Sequence, residues 1–320
     1  MDKLDYRLFI PYLFWRFINA KGLLCQKIIG IYYRSNIKPN MVLRLIKMSI
    51  DNINSYWLGM VGKKYVVTGA GSGIGYAIAE ALLEAGACVA MLDRNIGGAE
   101  KLREQYRGTA QEPLVLQCDI SDPSSIEKAF QNVRETLICL DGLVNCAGML
   151  RAASIRDVAL SEWDAVLRTN LTGYMLCSRE FATLMSNGGS MVHIASVAAH
   201  HPQTHSGAYS ASKAGITLLS RQIAAEYGPG GIRSNVICPG MIRTALSEPF
   251  YQQPGIKEQR EAMTASRRIG APQDIANAVA FMLSERACYI NGAELTVDGG
   301  METMLMDLIP RPGFSAKKSA

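Results

Sequence analysis

A tyrosine and a lysine four residues apart, Tyr209 and Lys213, stand at the head of a long apolar-periodic stretch. At that spacing two side chains share one face of a helix, so the ammonium of Lys213 can lie beside the phenol of Tyr209. Thirteen residues before the tyrosine, Ser196 closes the strand-like run Met191–Ala195. A phenol, an ammonium and a hydroxyl brought together can move a proton to or from a substrate oxygen. A free phenol has a pKa near 10, and lowering it to about 7 takes roughly 4 kcal/mol of differential stabilisation, part of which Lys213 is placed to supply. A Tyr with Lys four residues on is expected about half a time by chance in such a chain, so the pair alone is a weak signal. Its position after a strand-end serine is what gives it weight.

A second chemistry-bearing segment lies upstream. Lys64–Thr68 reads as a strand and runs into Gly69-Ala70-Gly71-Ser72-Gly73-Ile74-Gly75, then into a helical pattern. Glycines let a backbone turn sharply and approach a pyrophosphate, while the helix N-terminus supplies N–H donors and positive potential. The next strand ends at Asp93, about 20 residues on, where a carboxylate takes hydrogen bonds from an adenosine ribose diol. The plainer reading of Asp93 is a strand-end turn residue. A 2′-phosphate about 4 Å from that carboxylate would cost roughly 4 kcal/mol at an effective dielectric of 20. That is a discrimination on the order of a thousandfold. Arg94 softens it, but Ser72 brings no positive charge to the loop. The expected cofactor is NAD.

These residues need a frame. From about residue 60, strand-like runs (Lys64–Thr68, Ala87–Leu92, Leu114–Cys118, Leu143–Asn145, Ser190–Ala195, Arg233–Cys238 and Glu294–Val297) alternate with helical stretches such as Ile74–Ala85, Trp163–Leu184, Ala211–Tyr227 and Pro272–Leu283. Several runs are nearly continuous Val, Ile and Leu, as in strands buried on both faces. Strand and helix in alternation imply a parallel sheet covered on both sides, here of seven strands. The composition agrees: 320 residues, 48% apolar and 19% charged, exclude a disordered chain, a collagen and a solenoid of short repeats. Eight cysteines without C-x-x-C spacing read as reduced thiols rather than a zinc ribbon or a disulfide scaffold.

With these motifs in place, residues 60–300 resemble the short-chain dehydrogenase/reductase superfamily. Thr68 through Gly75 is similar to its cofactor loop, and Cys118-Asp119-Ile120 to the acidic turn over adenine. Asn145-Cys146-Ala147-Gly148 resembles the family's Asn-Asn-Ala-Gly, with Cys146 a departure. Asn170, Ser196, Tyr209 and Lys213 match the catalytic set. Asn235 through Pro239-Gly240 to Thr244, with Ile242, matches the nicotinamide edge, and Asp298-Gly299-Gly300 the C-terminal turn. The resemblance implies a Rossmann-type doubly wound α/β fold. Its cofactor would be held by Gly69, Ser72, Gly73, Ile74, Gly75, Asp93, Asp119, Ile120, Asn145, Ala147, Gly148, Tyr209, Lys213, Pro239, Gly240, Ile242 and Thr244. It also implies hydride transfer between NAD(H) and a secondary alcohol or ketone. Tyr209 would be the acid–base group, assisted by Lys213 and the nicotinamide cation. Ser196 would bind the substrate oxygen and Asn170 a water linked to Lys213. A homotetramer is the expected assembly. The alternatives are an NADPH-linked 3-oxoacyl or carbonyl reductase and a non-catalytic NAD-binding sensor.

All four histidines, His193, His200, His201 and His205, fall within 13 residues. His193 is expected inside the sheet packing, and the other three at the substrate mouth with Gln203. No carboxylate or cysteine close in sequence completes a metal set, so no metal is expected. Met149, Leu150, Met241, Phe250 and Tyr251 are apolar candidates for a pocket wall or for core. Glu248–Arg268 reads as a substrate lid or a surface excursion.

Residues 1–59 are a separate extension, expected to be helical. They carry a charge of +6 and ten of the 24 aromatics, leaving residues 60–320 at −1. A nearly neutral body excludes a nucleic-acid binder. Arg16, Lys21 and Lys27 interrupt any membrane span, and no cleavage site marks a signal peptide. Val42, Leu45, Ile46, Ile50, Ile53 and Trp57 share one helical face. Three readings stay open: an interfacial membrane helix giving peripheral membrane contact, a helix packed on the enzyme, or text upstream of a true start at Met60. The expected location is cytoplasmic.

Overall fold

A computed structural model describes residues 57–185, 188–245 and 247–309. The chain divides into two compact units, Met1–Asn54 and Ser55–Ala320. The division precedes the expected 59/60 boundary because Trp57 and Leu58 belong to the body. Arg286 Nε donates to the Trp57 carbonyl at 2.9 Å, its guanidinium lies 5.7 Å from the Trp57 ring centroid, and Leu58 packs on the core. Apart from Trp57, the helical face anticipated for the extension lies outside the described residues. Among the described residues no helix is long and apolar enough to cross a membrane.

Seven strands form one sheet: β1 (Lys64–Thr68), β2 (Cys88–Asp93), β3 (Leu114–Gln117), β4 (Gly142–Asn145), β5 (Gly189–Ile194), β6 (Ile232–Pro239) and β7 (Glu294–Val297). Their order is β3-β2-β1-β4-β5-β6-β7, and every pairing is parallel. Successive side chains point to opposite faces, so each strand feeds two cores. Tyr65, Val67, Val192, Ile194 and Ile237 pack against α1 (Gly73–Glu84), α2 (Gly97–Gln105) and α8 (Pro272–Leu283). Val66, Leu143, Met191, Val236 and Cys238 pack against α3 (Pro123–Leu137), α5 (Gly173–Thr183) and α6 (Tyr209–Tyr227). Burial on both faces is why these runs read as unbroken Val/Ile/Leu rather than alternating. Sequential strands run outward from β1 in both directions, leaving a crevice at the carboxyl ends of β1 and β4, where ligands bind in such sheets.

Two connections differ from expectation. Gly97–Gln105 and Pro123–Leu137 are helices of lower apolar content than those recognised in the sequence; Asp122 starts α3 by accepting the Ser124 N–H at 3.0 Å. The stretch expected as one helix over Trp163–Leu184 is two, α4 (Leu160–Leu167) and α5, joined by a π-turn at Arg168–Thr172. Such a turn inserts an extra residue into the ladder and re-aims the side chains beside it. Asn170 sits within it.

The segment Glu248–Arg268 holds a 3-10 turn (Glu248–Gln252) and the short helix α7 (Ile256–Ala262). Its far end is pinned: Ser266 N–H donates to the Gly299 carbonyl at 3.0 Å, and Arg268 holds Asp274 through two bonds of 2.7 and 2.9 Å.

Candidate active site

A cavity of about 460 Å³ opens at the carboxyl ends of β1, β4, β5 and β6. One wall is the glycine loop. Gly69, Ser72, Gly73, Ile74 and Gly75 all face the cavity. A Cβ on Gly75 would stand 2.2 Å from the Gly69 carbonyl oxygen, so only glycine lets α1 seat against β1. No side chain caps the α1 N-terminus and no acid stands in its first turn. Its N–H donors therefore remain available to an anion.

Asp93 lies at the β2 end of the cavity. Its Oδ2 accepts the Gly71 N–H and its Oδ1 the Asn95 N–H, both at 2.8 Å. A Cβ on Gly71 would fall 2.8 Å from the Asp93 carboxyl carbon. The carboxylate is thus both a turn residue and a fixed acceptor edge, so the two readings of this position are compatible. Asp119 and Ile120 line the same end; Asp119 Oδ1 accepts the Ser121 N–H and hydroxyl at 2.9 and 2.7 Å. Arg94 is 80% exposed, with Nη1 4.0 Å from Asp119.

The opposite wall carries Ser196, Tyr209 and Lys213, with Pro239, Gly240, Ile242 and Thr244 beside them. Tyr209 is the first residue of α6 and Lys213 lies one turn on. Burial raises the Tyr209 phenol above its ordinary value, and its hydrogen bond with Ser196 only partly opposes this. The neutral phenol is therefore the resting state of the chain by itself; the lowering anticipated from the sequence draws also on the positive nicotinamide ring of bound NAD. Lys213 Nζ donates to the Ile194 carbonyl at 2.8 Å and lies 5.6 Å from the ring centroids of both Tyr174 and Tyr209. Burial pulls this ammonium down to about 8. It stays charged at neutral pH yet gives up its proton far more readily than an exposed lysine.

Ala147 and Gly148 line the floor, held by Thr68, whose hydroxyl accepts the N–H of Cys146 and of Ala147 at 3.1 and 3.3 Å. Asn145 does not line the cavity. It is fully buried, and its Nδ2 faces the Tyr174 carbonyl, Ser178 Oγ and His193 Nδ1 at 3.3, 3.2 and 3.1 Å. The expected cofactor contact is instead a cross-strand tie, because at the end of β4 its side chain points into the α5 side of the sheet. Asn170 is also buried away from the cavity. Met149 N–H donates to its Oδ1 and its Nδ2 donates to the Met149 carbonyl, each at 2.9 Å, with Ser212 Oγ at 3.0 Å from Nδ2. It acts on the loop after β4, and its neighbour Thr169 is the residue of that turn that faces the cavity.

The histidines correct the sequence reading most. His193 is buried as expected, with Nε2 3.1 Å from Ser234 Oγ, and burial drives its pKa to about 3. None of His200, His201 and His205 lines the cavity. His200 turns away to Glu294 (Nε2–Oε2 2.7 Å) and Glu302 (Nδ1–Oε1 3.3 Å), and His201 Nε2 lies 3.4 Å from Glu302. Glu294 and Glu302, 94 and 102 residues beyond His200, reach these histidines because β7 and the turn after it come back beside the end of β5.

Cys146, Met149, Leu150 and Ser247 also face the cavity. Met149 and Leu150 were among the apolar candidates; Met241 and Tyr251 are not in the lining, and the side chain of Phe250 lies outside the described residues. Cys146 carried a signal as the departure within its motif, whereas Ser247 carried none. Burial pushes the Cys146 thiol up to about 12, so it is a neutral wall beside Lys213.

The geometry describes a nucleotide-binding α/β oxidoreductase, and comparison with known proteins names the class. Residues 69–302 match the protein family described as Enoyl-(Acyl carrier protein) reductase. The chain is 37% identical over 241 residues to the D-threitol dehydrogenase of Mycolicibacterium smegmatis, covering 75% of this chain and 92% of that one. It is also 37% identical to the 3-oxoacyl-(acyl-carrier-protein) reductase FabG of Escherichia coli, covering 75% and 97% of the two chains. A gluconate 5-dehydrogenase from Burkholderia cenocepacia, solved with NADP and tartrate, superposes with a TM-score of 0.72 at 27% identity, covering 76% and 96%. The chain belongs to the short-chain dehydrogenase/reductase superfamily. It is accordingly an oxidoreductase of the kind that uses a nicotinamide cofactor.

Proposed function

We propose that the protein is an NAD-dependent dehydrogenase/reductase that interconverts a secondary alcohol and its ketone. One observation carries this reading: Ser196, Tyr209 and Lys213 converge at one end of a cavity whose other end is a glycine loop with a fixed Asp93 carboxylate. The uncapped α1 N-terminus fits a pyrophosphate, and the acceptor edge of Asp93 fits a ribose diol. Gly69, Ser72, Gly73, Ile74, Gly75, Asp93, Asp119, Ile120, Ala147, Gly148, Pro239, Gly240, Ile242 and Thr244 would hold the cofactor, which when bound supplies the hydride acceptor or donor.

The chain's own residues handle the proton. Tyr209, neutral at rest, donates its proton to the oxygen of a ketone; in the reverse direction its phenolate takes the proton from an alcohol. Ser196 shares a hydrogen bond with Tyr209 and is placed to orient the same oxygen. Lys213 stabilises the phenolate side of this equilibrium through its charge, and Asn170 is a positioning residue that fixes Met149 beside the reacting end. Met149 and Leu150 favour a partly apolar small-molecule substrate. The free cysteines among the described residues fit a reducing, cytoplasmic setting.

A second reading, an NADPH-linked 3-oxoacyl or carbonyl reductase, is favoured by the likeness to FabG and by Arg94, exposed and one residue beyond Asp93. Titration of the protein with NADH and NADPH separates the two. NADH is expected to bind about a thousandfold more tightly, the discrimination on the order of 4 kcal/mol that a carboxylate imposes on a 2′-phosphate. Tighter binding of NADPH would establish the second reading.

A further inference from the structure

His200 belongs to a donor set that the dehydrogenase chemistry does not use. One ligand atom from each of His200, Cys238 and Glu294 lies within 4.8 Å of the other two. The three come from separate elements: the turn after Ser196, the end of β6 and the start of β7. We propose that His200, Cys238 and Glu294 form a zinc site. Ligand atoms on a tetrahedral zinc stand roughly 3.3–3.8 Å apart, given bonds of about 2.0–2.3 Å. Seating one ion therefore requires His200 Nε2 and Glu294 Oε2, 2.7 Å apart, to part by about 0.6–1 Å while wider pairs close by up to about an ångström, with the fourth position left to water.

The surroundings of each donor are those a metal ligand needs. His200 Nδ1 faces Glu302 Oε1 at 3.3 Å, which orients the ring and leaves Nε2, beside Glu294 Oε2, for the ion. Arg221 Nη2 holds the other Glu294 oxygen, Oε1, at 2.8 Å. Burial pushes the Cys238 thiol up to about 12, only partly opposed by the Ser196 backbone N–H that donates to its sulfur, so an ion here must itself displace the thiol proton, as metal binding does. Glu302 is itself fixed: its N–H donates to Asp298 Oδ2 at 2.8 Å, and Thr296 Oγ1 and His201 Nε2 lie 3.4 Å from its two oxygens. Glu294 and Glu302 face Arg221 and the His200 ring, whose pKa they raise; once an ion displaces the protons of the ring and of Cys238, the cluster carries two negative charges, which a divalent cation neutralises. The sulfur selects zinc over magnesium and calcium, which take oxygen ligands. An ion here would tie the turn that follows Ser196 to β6 and β7, one hydrogen bond from the reacting end of the cavity.

The test uses the full chain without a histidine tag, stripped with a chelator and titrated with Zn²⁺ by calorimetry and with Co²⁺ by absorption. One ion per chain is expected, with a thiolate-to-cobalt charge-transfer band that is absent in Cys238→Ser. His200→Gln is expected to weaken Zn²⁺ binding at least tenfold, and Glu302→Gln by about 10- to 100-fold. Absence of saturable binding, a band that survives Cys238→Ser, or His200→Gln binding Zn²⁺ as the unaltered protein does would overturn the site. If Cys238→Ser does not fold, His200→Gln decides alone, since that ring is 36% exposed and its replacement leaves the fold intact.

Discussion

Tyr209 and Asp93 carry the two sharpest consequences at the scale of single residues. Tyr209→Phe removes the proton-transfer group but keeps the ring beside Lys213, so NADH binding should stay within about threefold. Turnover should fall by at least about 3 kcal/mol of transition-state stabilisation, roughly a hundredfold or more. Steady-state kinetics with fluorescence titration of NADH checks both; near-normal turnover would remove Tyr209 from the mechanism. Asp93→Ala should raise NADPH affinity relative to NADH by two to three orders of magnitude, on the order of the 4 kcal/mol a carboxylate charges a 2′-phosphate. Because Asp93 also accepts the Gly71 and Asn95 N–H groups, the same change should lower the melting temperature, and the two effects are read separately. An unchanged nucleotide ratio would mean that Asp93 is a turn residue alone.

Strands β4, β5 and β6 are joined through side chains as well as their backbone ladder. Asn145 on β4 faces His193 on β5, which faces Ser234 on β6, whose hydroxyl meets Ser220 of α6 at 2.8 Å. Asn145 uses its Nδ2 on His193 Nδ1, so the ring carries its proton on Nε2 and donates to Ser234. His193 at about 3 lies well below the ordinary 6.5, so it is neutral in the folded protein where the unfolded chain is protonated. Its contribution is fully present above pH 6.5 and is lost progressively as the pH falls toward 3, about 2 kcal/mol by pH 5. Urea unfolding at pH 7 and pH 5 should show this loss. His193→Gln should be less stable at pH 7 but have a flatter profile over that window. His200 works in the opposite sense: Glu294 and Glu302 raise its pKa, so its stabilisation is present below pH 6.5 and fades as the pH rises through the raised value. A His193→Gln profile as steep as the parent's would show that the slope has another origin.

The extent of the folded unit is a whole-molecule question, and Trp57 and Leu58 answer it locally. A chain beginning at Ser55 should fold, bind NADH and turn over like the full chain. One beginning at Met60 removes the Trp57–Arg286 contact and the Leu58 packing and brings a charged terminus to a residue that is fully buried. It should lose roughly 1–3 kcal/mol, seen as a lower urea midpoint. Equal midpoints for the two chains would place the boundary at Met60 after all. We also expect a homotetramer; Leu218 on α6 and Leu160 on α4 are 67% and 74% exposed, apolar area of the kind that association covers. Light scattering at micromolar concentration checks this, and a monomer would refute it.

The strand–helix alternation, the parallel sheet, the glycine loop, Asp93 and the Ser196–Tyr209–Lys213 set were all legible in the amino-acid order. Each is a local pattern: a period, a turn chemistry, or a spacing within one turn of helix. What required tertiary structure was the aim of buried polar side chains and the meeting of distant segments. Asn145 and Asn170 carry the right names at the right places, but only the packed sheet and the π-turn decide that they grip backbone and neighbours instead of facing the cavity. In the chain by itself burial raises the Tyr209 phenol more than its Ser196 partner lowers it, and burial is a property of the whole fold. His200 and Glu294 are 94 positions apart, and nothing in either neighbourhood announces the other. They meet because β7 pairs in parallel with β6 in a register that sets Glu294 level with Val236 and so beside the last residues of β5, a consequence of topology that no local pattern encodes.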